Sequence, residues 1–367
     1  MTITTSYPGV YLEELNSMSL SVSSSATAVP VFAISDTDAK FSTTTRISSW
    51  MDYMNRLGGP FNPDDVRDAS IRTYFENGGG YCYLVPLGKL EVEVPDLDDA
   101  TLLVSAGQDI QSAVATLCVE GKNLFAILDG PTHDVREIAP LPDGATATGN
   151  EDINDWKNAY DETAYSAIYY PWLNAKWASV TIPPSAAIAG IYCQNDSARG
   201  VWKAPANVPL RGGVLPVLKV NDDFQGQHTS GGKALNMVRQ FNNGSPVIWG
   251  TRTCVDNDSW RYVPVRRLFN SAEKDIQNSM KTMMFEPNSQ PTWERVRSAI
   301  TLYLYTLWQQ GALAGSTDEE AFFVDIGKDI TMNEADISQG KMIVKVGMAA
   351  VRPAEFIILQ FTQDVDV

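Results

Sequence analysis

AVPVFAIS (28–35), SSWMDYMNRLG (48–58), VRDASIRTYFENGGG (66–80) and YCYLVPL (81–87) together decide the fold class. The first is an unbroken apolar run, the pattern of a strand buried on both faces. The second and third carry apolar residues at helical spacing and stop on glycines, which accept the left-handed backbone that ends a helix. The fourth is another buried strand. Strand, helix, helix, strand is the rhythm of an α/β layer.

The rhythm continues outward. DIQSAVATLCVE (109–120) reads as a helix, NLFAILDGP (123–131) as a strand and AYSAIYYPWL (164–173) as a strand. Between them APLPDGATATGNEDIND (139–155) reads as a surface excursion. Residues 183–232 are so dense in Pro and Gly that the pattern predicts no long element there.

Two long helices follow. Over 265–284, Val265, Leu268, Phe269, Ala272, Ile276 and Met283 share a face, and over 291–310 Trp293, Val296, Ile300, Leu304 and Leu307 do, with Pro291 in the first turn and Gly311 at the stop. The first helix also places Arg267, Lys274 and Lys281 seven residues apart, so the three cations fall on one stripe that drifts by only about 20° per heptad. That stripe is either a solvated face or a docking row for an acidic surface.

Both chain ends are β-prone and apolar. TITTSYPGVYL (2–12) precedes a Ser-rich leash, and KMIVKVGMAAV (341–351) and AEFIILQFT (354–362) close the chain. Such segments leave unpaired backbone groups unless they join a sheet, either the edge of their own or that of another copy.

The chain has 367 residues, 44% hydrophobic and 20% charged, enough apolar material for one or two packed cores. Its net charge is 28 − 44 = −16, which argues against nucleic acid as a partner, because phosphate binding requires an excess of Lys and Arg. All of it lies before residue 198, where 10 basic residues meet 26 acidic ones; 18 of each follow. An acidic outer half and a balanced, docking half are one reading, and simple solubility is the other. The start lacks the pattern of an export signal and no stretch has the roughly 20 apolar residues of a membrane span, so the expectation is a subunit made in the cytoplasm that does not insert into a membrane.

Catalytic signals are weak. Cys82, Cys118, Cys193 and Cys254 are scattered, consistent with reduced thiols, and only His133 and His228 are present. GQHTSGGKA (226–234) has Gln227 where a phosphate loop needs Gly, and Ala234 where it needs a hydroxyl. The acidic GNEDIND lacks the calcium-loop ladder, and Cys193 or Cys254 with His228 has no third, orienting group. The expectation is no catalytic residue, no cofactor and no metal.

A set of segments carries a resemblance. PGVYLEE (8–14), FENGGGYCYLV (75–85), YYPWL (169–173), PPSAAIAGIYCQNDSARGVWKAPAN (183–207), VIWGTRT (247–253), WRYVPVRRLFN (260–270), FEPNSQPTWERVR (285–297) and VRPAEFIILQFTQ (351–363) occur in order along nearly the whole chain. Together they resemble the contractile tail sheath family, and most of all the sheath proteins of extracellular contractile injection systems of the antifeeding-prophage and virulence-cassette type.

The resemblance implies a non-enzymatic structural subunit that stacks as hexameric rings in a helical assembly around an inner tube and contracts to drive the tube through a target membrane. Its implied partners are other copies of itself, the inner tube protein, and baseplate and terminal cap proteins; its implied place is a particle assembled in the cytoplasm and then released. The alternatives are a sheath of a cytoplasmic, type VI secretion-like apparatus and, more remotely, a soluble α/β enzyme. The implied architecture is α/β (α+β): an extended N-terminal arm over 1–20, an α/β outer portion over 21–250 with a possible insertion at 87–160, a C-terminal α+β sheath domain facing the tube over 251–353, and an extended arm over 354–367. By position, strand exchange between subunits falls on Ile3, Tyr7, Val10, Tyr11 and Leu12 at one end and on Glu355, Phe356, Ile357, Ile358, Leu359 and Phe361 at the other. The tube-facing role is carried to Arg267, Lys274 and Lys281, with the 291–310 helix and its Arg295 and Arg297 as the second choice.

Overall fold

The computed structural model describes residues 20–38, 40–135, 155–242 and 244–356. In chain order the elements are β1 (Pro30–Ile34), β2 (Thr45–Ile47), α1 (Trp50–Leu57), α2 (Val66–Glu76), β3 (Cys82–Pro86), α3 (Leu90–Glu93), β4 (Leu102–Val104), α4 (Gln111–Leu117) and β5 (Phe125–Asp129). Then come β6 (Ser166–Tyr170), β7 (Leu173–Ala175), α5 (Pro184–Arg199), β8 (Val214–Pro216), α6 (Asp222–Thr229), β9 (Leu235–Arg239) and β10 (Val247–Trp249). The last third holds α7 (Val263–Met280), α8 (Gln290–Gln309), α9 (Asp318–Ala321), β11 (Phe322–Asp325), α10 (Glu334–Ser338) and β12 (Lys345–Met348).

The expected α/β layer is one eight-stranded sheet in the order β10-β9-β6-β5-β4-β1-β3-β2. Its interior strands run parallel and its two outermost strands, β2 and β10, run antiparallel to their neighbours. Alternate residues of β1 serve two cores: Phe32 and Ile34 pack with α2 and α5, Val31 and Ala33 with α4 and α6. Burial on both faces is why this strand reads as a continuous apolar run. Local signals fix the first helices. Ser49 accepts a hydrogen bond from Asp52 N to start α1, Gly58 ends it at φ 63°, and Asp65 accepts from Arg67 N and Asp68 N to start α2.

Residues 87–160, read as either a possible insertion or the completion of the first layer, supply β4 and β5, which lie in the middle of the sheet. One expectation is corrected here. Residues 183–232 do contain a long element, the 16-residue α5. Pro184 sits in its first turn, where a missing N–H costs nothing, and its Ala, Ser and Gly residues allow close packing rather than breaking the helix. At Gly190 a Cβ would stand 2.5 Å from the Tyr74 carbonyl of α2. The 139–155 excursion lies outside the described residues except for Asp155, which opens a short 3₁₀ turn.

The far edge of the sheet is closed by its own chain. Asn207 N donates to Ile248 O, Ile248 N to Val208 O and Leu210 N to Pro246 O, so residues 207–210 cover β10. At the other edge β2 is three residues long and turns Arg46 onto the Tyr81 ring.

A third core belongs to the C-terminal third. It gathers Leu268 and Ala272 of α7, Trp293, Val296, Ile300, Leu304 and Leu307 of α8, and Phe322 and Ile326 around β11. A small antiparallel pair, β11 with β12, lies on it. The fold is therefore α/β with an α+β C-terminal portion, as the sequence leads one to expect.

Candidate assembly interface

Helix α7 lies between the sheet layer and the C-terminal core, with one side committed to each. Leu268 and Ala272 enter the core. On the other side Arg267 pairs with Asp196 of α5, Asn270 Nδ2 donates to Leu124 O and Lys274 Nζ donates to Ala100 O. Burial lowers the Lys274 pKa, with Asp99 opposing. The cationic stripe is thus corrected for Arg267, which is 3% exposed, and Lys274 is half-buried; Lys281 is exposed. The acidic partner of Arg267, Asp196, belongs to the first half of the same chain. Seven-residue spacing aligns charges along a helix but does not say which side faces protein.

The root of the N-terminal segment is pinned to the same helix. Ser25 N donates to Asp275 Oδ1 (2.8 Å), whose other oxygen accepts from Tyr303 Oη of α8 (2.8 Å). Thr27 Oγ1 donates to Asp196 Oδ2 (2.6 Å), and Thr27 O accepts from Arg267 Nη2 (3.1 Å). Leu20 and Val22 pack against the C-terminal core.

The root of the C-terminal segment is pinned at Glu355. Its carboxylate takes two hydrogen bonds in parallel from Arg252, Nε to Oε1 at 3.0 Å and Nη2 to Oε2 at 2.7 Å, and a third from Tyr262 Oη at 3.1 Å. Arg252 and Tyr262 face each other across an isolated β-bridge, and Tyr262 is the residue that precedes α7. Phe356, next in the chain, is 73% exposed.

Among the described residues the β11–β12 sheet has only two strands. Around it Phe323, Ile330 and Ile343 are exposed. A groove of about 550 Å³ runs beside β12, lined by the apolar Trp260, Phe269, Ile276, Val346 and Met348 together with the charged Glu120, Arg266 and Glu273.

A second cavity of about 550 Å³ opens at the carboxyl ends of β1 and β4, where the strand order reverses. Enzymes of doubly wound folds place substrates there. In this chain the polar groups of the cavity bind one another: Arg67 pairs with Asp38, Asp65 and Asp68, Tyr53 Oη donates to Asp68 and Lys40 Nζ to Leu57 O. The weak catalytic candidates are dispersed too. His228 is buried with Nδ1 on Phe224 O, while Cys193 contacts Tyr74 Oη and Ala28 O, and burial pushes the Cys254 thiol up to about 12. Among the described residues no group of three His, Cys, Asp or Glu is placed to hold a metal ion, and no helix is long and apolar enough to cross a membrane.

Comparison with solved structures places the chain in a family. The sheath complex of an extracellular contractile injection system, PVC, solved in its contracted state, contains a chain 58% identical to this one, with 99% of each covered and a TM-score of 0.88. The chain belongs to the contractile sheath family. A chain from the six-fold symmetrised baseplate of the anti-feeding prophage is 44% identical, covering 99% of this chain and all of that one, with a TM-score of 0.77. Residues 255–364 of the sheath protein match the phage tail sheath C-terminal domain. The tail sheath protein of Enterobacteria phage T4 is 29% identical over 176 residues, which are 46% of this chain and 26% of that protein. The sheath protein thus spans about a quarter of that curated relative, whereas it spans the injection-system sheath chains from end to end.

Of the residues assigned to exchanging arms, the structure describes Glu355 and Phe356; Ile3, Tyr7, Val10, Tyr11, Leu12, Ile357, Ile358, Leu359 and Phe361 lie outside the described residues. Missing from the sequence reading of the sheath protein are Arg252, Tyr262, Asp275 and Asp196. No periodicity marks them, since their partners lie 103, 93, 250 and 169 positions away. WRYVPVRRLFN and VIWGTRT, quoted above for resemblance, do contain Tyr262 and Arg252.

Proposed function

We propose that the chain is the repeating, non-enzymatic subunit of a sheath built from six-membered rings stacked helically around an inner tube, which shortens and widens to drive the tube through a target membrane. The particle is assembled in the cytoplasm and released, with a baseplate at one end and a cap at the other. Residues 21–250 form the outer portion and 251–353 the tube-side domain, and the arms 1–20 and 354–367 cross to the small sheets of neighbouring copies. The observation that carries this reading is the two-stranded β11–β12 pair with its groove, on a core against which Leu20 and Val22 at the root of the N-terminal segment also pack. A two-stranded sheet is marginal alone and gains from added strands.

With Arg267 and Lys274 engaged inside the subunit, the tube contact falls to Lys281 and to the outward side of α8, where Arg295, Leu302 and Tyr305 are exposed. Arg295 makes only an exposed pair with Glu286, whereas Arg297 is bonded to Glu294 and to Ile326 O. Exposed ion pairs contribute only about 0–1 kcal/mol each, so a polar tube contact can be released ring by ring.

The test is negative-stain electron microscopy of the chain expressed with its neighbouring tube and baseplate genes, beside a copy lacking residues 1–15. Hollow striated rods from the first and loose rings or monomers from the second are expected. A full chain that stays a monodisperse monomer overturns the reading.

A further inference from the structure

Both arm roots are tied to one helix, the C-terminal root at its start and the N-terminal root at Arg267 and Asp275 farther along it. Glu355 grips Arg252 and Tyr262 at the start of α7, while Ser25 and Thr27 are held by Asp275 and Arg267 along its length. We propose that α7 is the tension strut that joins the two arms of each subunit, with Arg252–Glu355 and Asp275–Ser25 as its end clamps. This inference rests on the arm-exchange reading.

The strut from Tyr262 to Asp275 spans 13 residues, about 20 Å of continuous helix. A pull on the C-terminal arm reaches Glu355 first, because Phe356 beyond it is exposed. The fork of two parallel charge-assisted hydrogen bonds resists sliding as well as separation. Arg252 is itself grounded, with its backbone bridged to Tyr262, its N–H on Asn236 Oδ1 and its Nη1 on Thr229 O. Behind the clamp lie ordinary strand bonds, such as Val351 N to Ala312 O and Ala349 N to Ala321 O. If the clamp opens, residues 351–356 form slack, and the motion of a neighbouring ring is absorbed as peeling instead of rotating the subunit.

At the other end Asp275 is buried and its second oxygen holds Tyr303 of α8. The pull of the N-terminal arm is therefore shared between α7 and α8. Load then passes from ring to ring through two clamps and a helix, and the eight-stranded sheet is tied to that path at one clamp, through Asn236 of β9.

The experiment uses whole particles, made with the tube and baseplate genes, carrying Glu355→Ala or Glu355→Gln, beside particles of the chain lacking residues 1–15. Both point variants are expected to build rods of ordinary length. After a brief guanidinium trigger, sheaths torn or halted partway should be at least about tenfold more frequent with Glu355→Ala, since losing even one of its three charge-assisted hydrogen bonds changes an opening equilibrium by about that factor. Glu355→Gln, which keeps the shape and an acceptor for Tyr262, should show a smaller rise. End-to-end contraction at the ordinary frequency in both point variants, with rods lost in the truncation, overturns the strut and leaves arm exchange standing. Contractile rods from the truncated chain overturn both.

Discussion

Arg267 and Asp196 form a buried two-point ion pair, Nη2 to Oδ2 at 2.6 Å and Nη1 to Oδ1 at 3.0 Å, with side chains 3% and 4% exposed. Thr27 completes it from both sides, donating its hydroxyl to Asp196 and lending its carbonyl to Arg267. The guanidinium also stacks on Tyr192. One pair thereby joins α5, α7 and the N-terminal root.

Removing one partner leaves the other as an uncompensated buried charge, which costs about 3–5 kcal/mol. Arg267→Met is expected to lose that much in urea unfolding of the isolated chain. Asp196→Leu combined with Arg267→Met should recover a large part of it. A single variant within 1 kcal/mol of the parent, roughly the worth of an exposed pair, would show that the site is wetter than its burial implies.

Burial pushes all four thiols up: Cys82 and Cys118 strongly, Cys193 less so, and Cys254 from 9.0 to about 12. The thiolate is the reactive form, so at pH 8 the native chain should react slowly with a disulfide reagent, while the unfolded chain titrates four thiols at once. Because these folded values are raised, the stability they contribute is full below pH 9 and is lost as pH rises toward 12. Unfolding midpoints measured from pH 8 to 11 should fall steadily, with buried Tyr74 and Tyr169, also raised by burial, adding to the slope.

Gly190 and Gly347 both lack room for a Cβ, yet their substitutions should differ. At Gly190 the obstacle is the backbone of α2, the Tyr74 carbonyl, which cannot step aside, so Gly190→Ala should cost about 1–3 kcal/mol. At Gly347 it is the Phe323 ring, which is 47% exposed and free to swing outward. Gly347→Ala is expected to leave the melting temperature of the isolated chain within about 2 °C, since surface changes usually fall within 0.5 kcal/mol.

Asp129 ends β5 and accepts hydrogen bonds from Ser105 Oγ, Gly107 N, Ser185 N and Ser185 Oγ, at 2.6 to 2.9 Å. Ser185 lies in the first turn of α5, which has no side-chain cap of its own, so a residue from the sheet does the capping. Asp129→Ala strands these donors and should cost about 2–4 kcal/mol. An unchanged urea midpoint would refute this assignment.

The layer was legible because its signals are local: the apolar run of β1 and the Gly58 stop, which closes α1 onto Met54 O, each act within about four residues. Helix α5 was obscured because Pro, Gly and Ala read as breakers when counted, whereas Pro184 in a first turn and Gly190 at a close helix crossing both favour the observed packing. The α7 stripe shows the opposite failure. Its spacing is real, but which side of a helix meets protein depends on Asp196 and Ala100, which chain order brings nowhere near it. The arm roots depend on contacts of still longer range, and only the resemblance of whole segments pointed toward that region.

The covered β10 edge bears on how copies meet. An extended, apolar chain end will pair with any open strand it encounters, and a pool of newly made copies offers many. With residues 207–210 already seated along β10, and β2 reduced to three residues at the opposite side, the large sheet offers such a wandering end little purchase. Under the proposed arm exchange, growth would then be left to the small β11–β12 sheet of each copy, which favours an ordered polymer over a tangle.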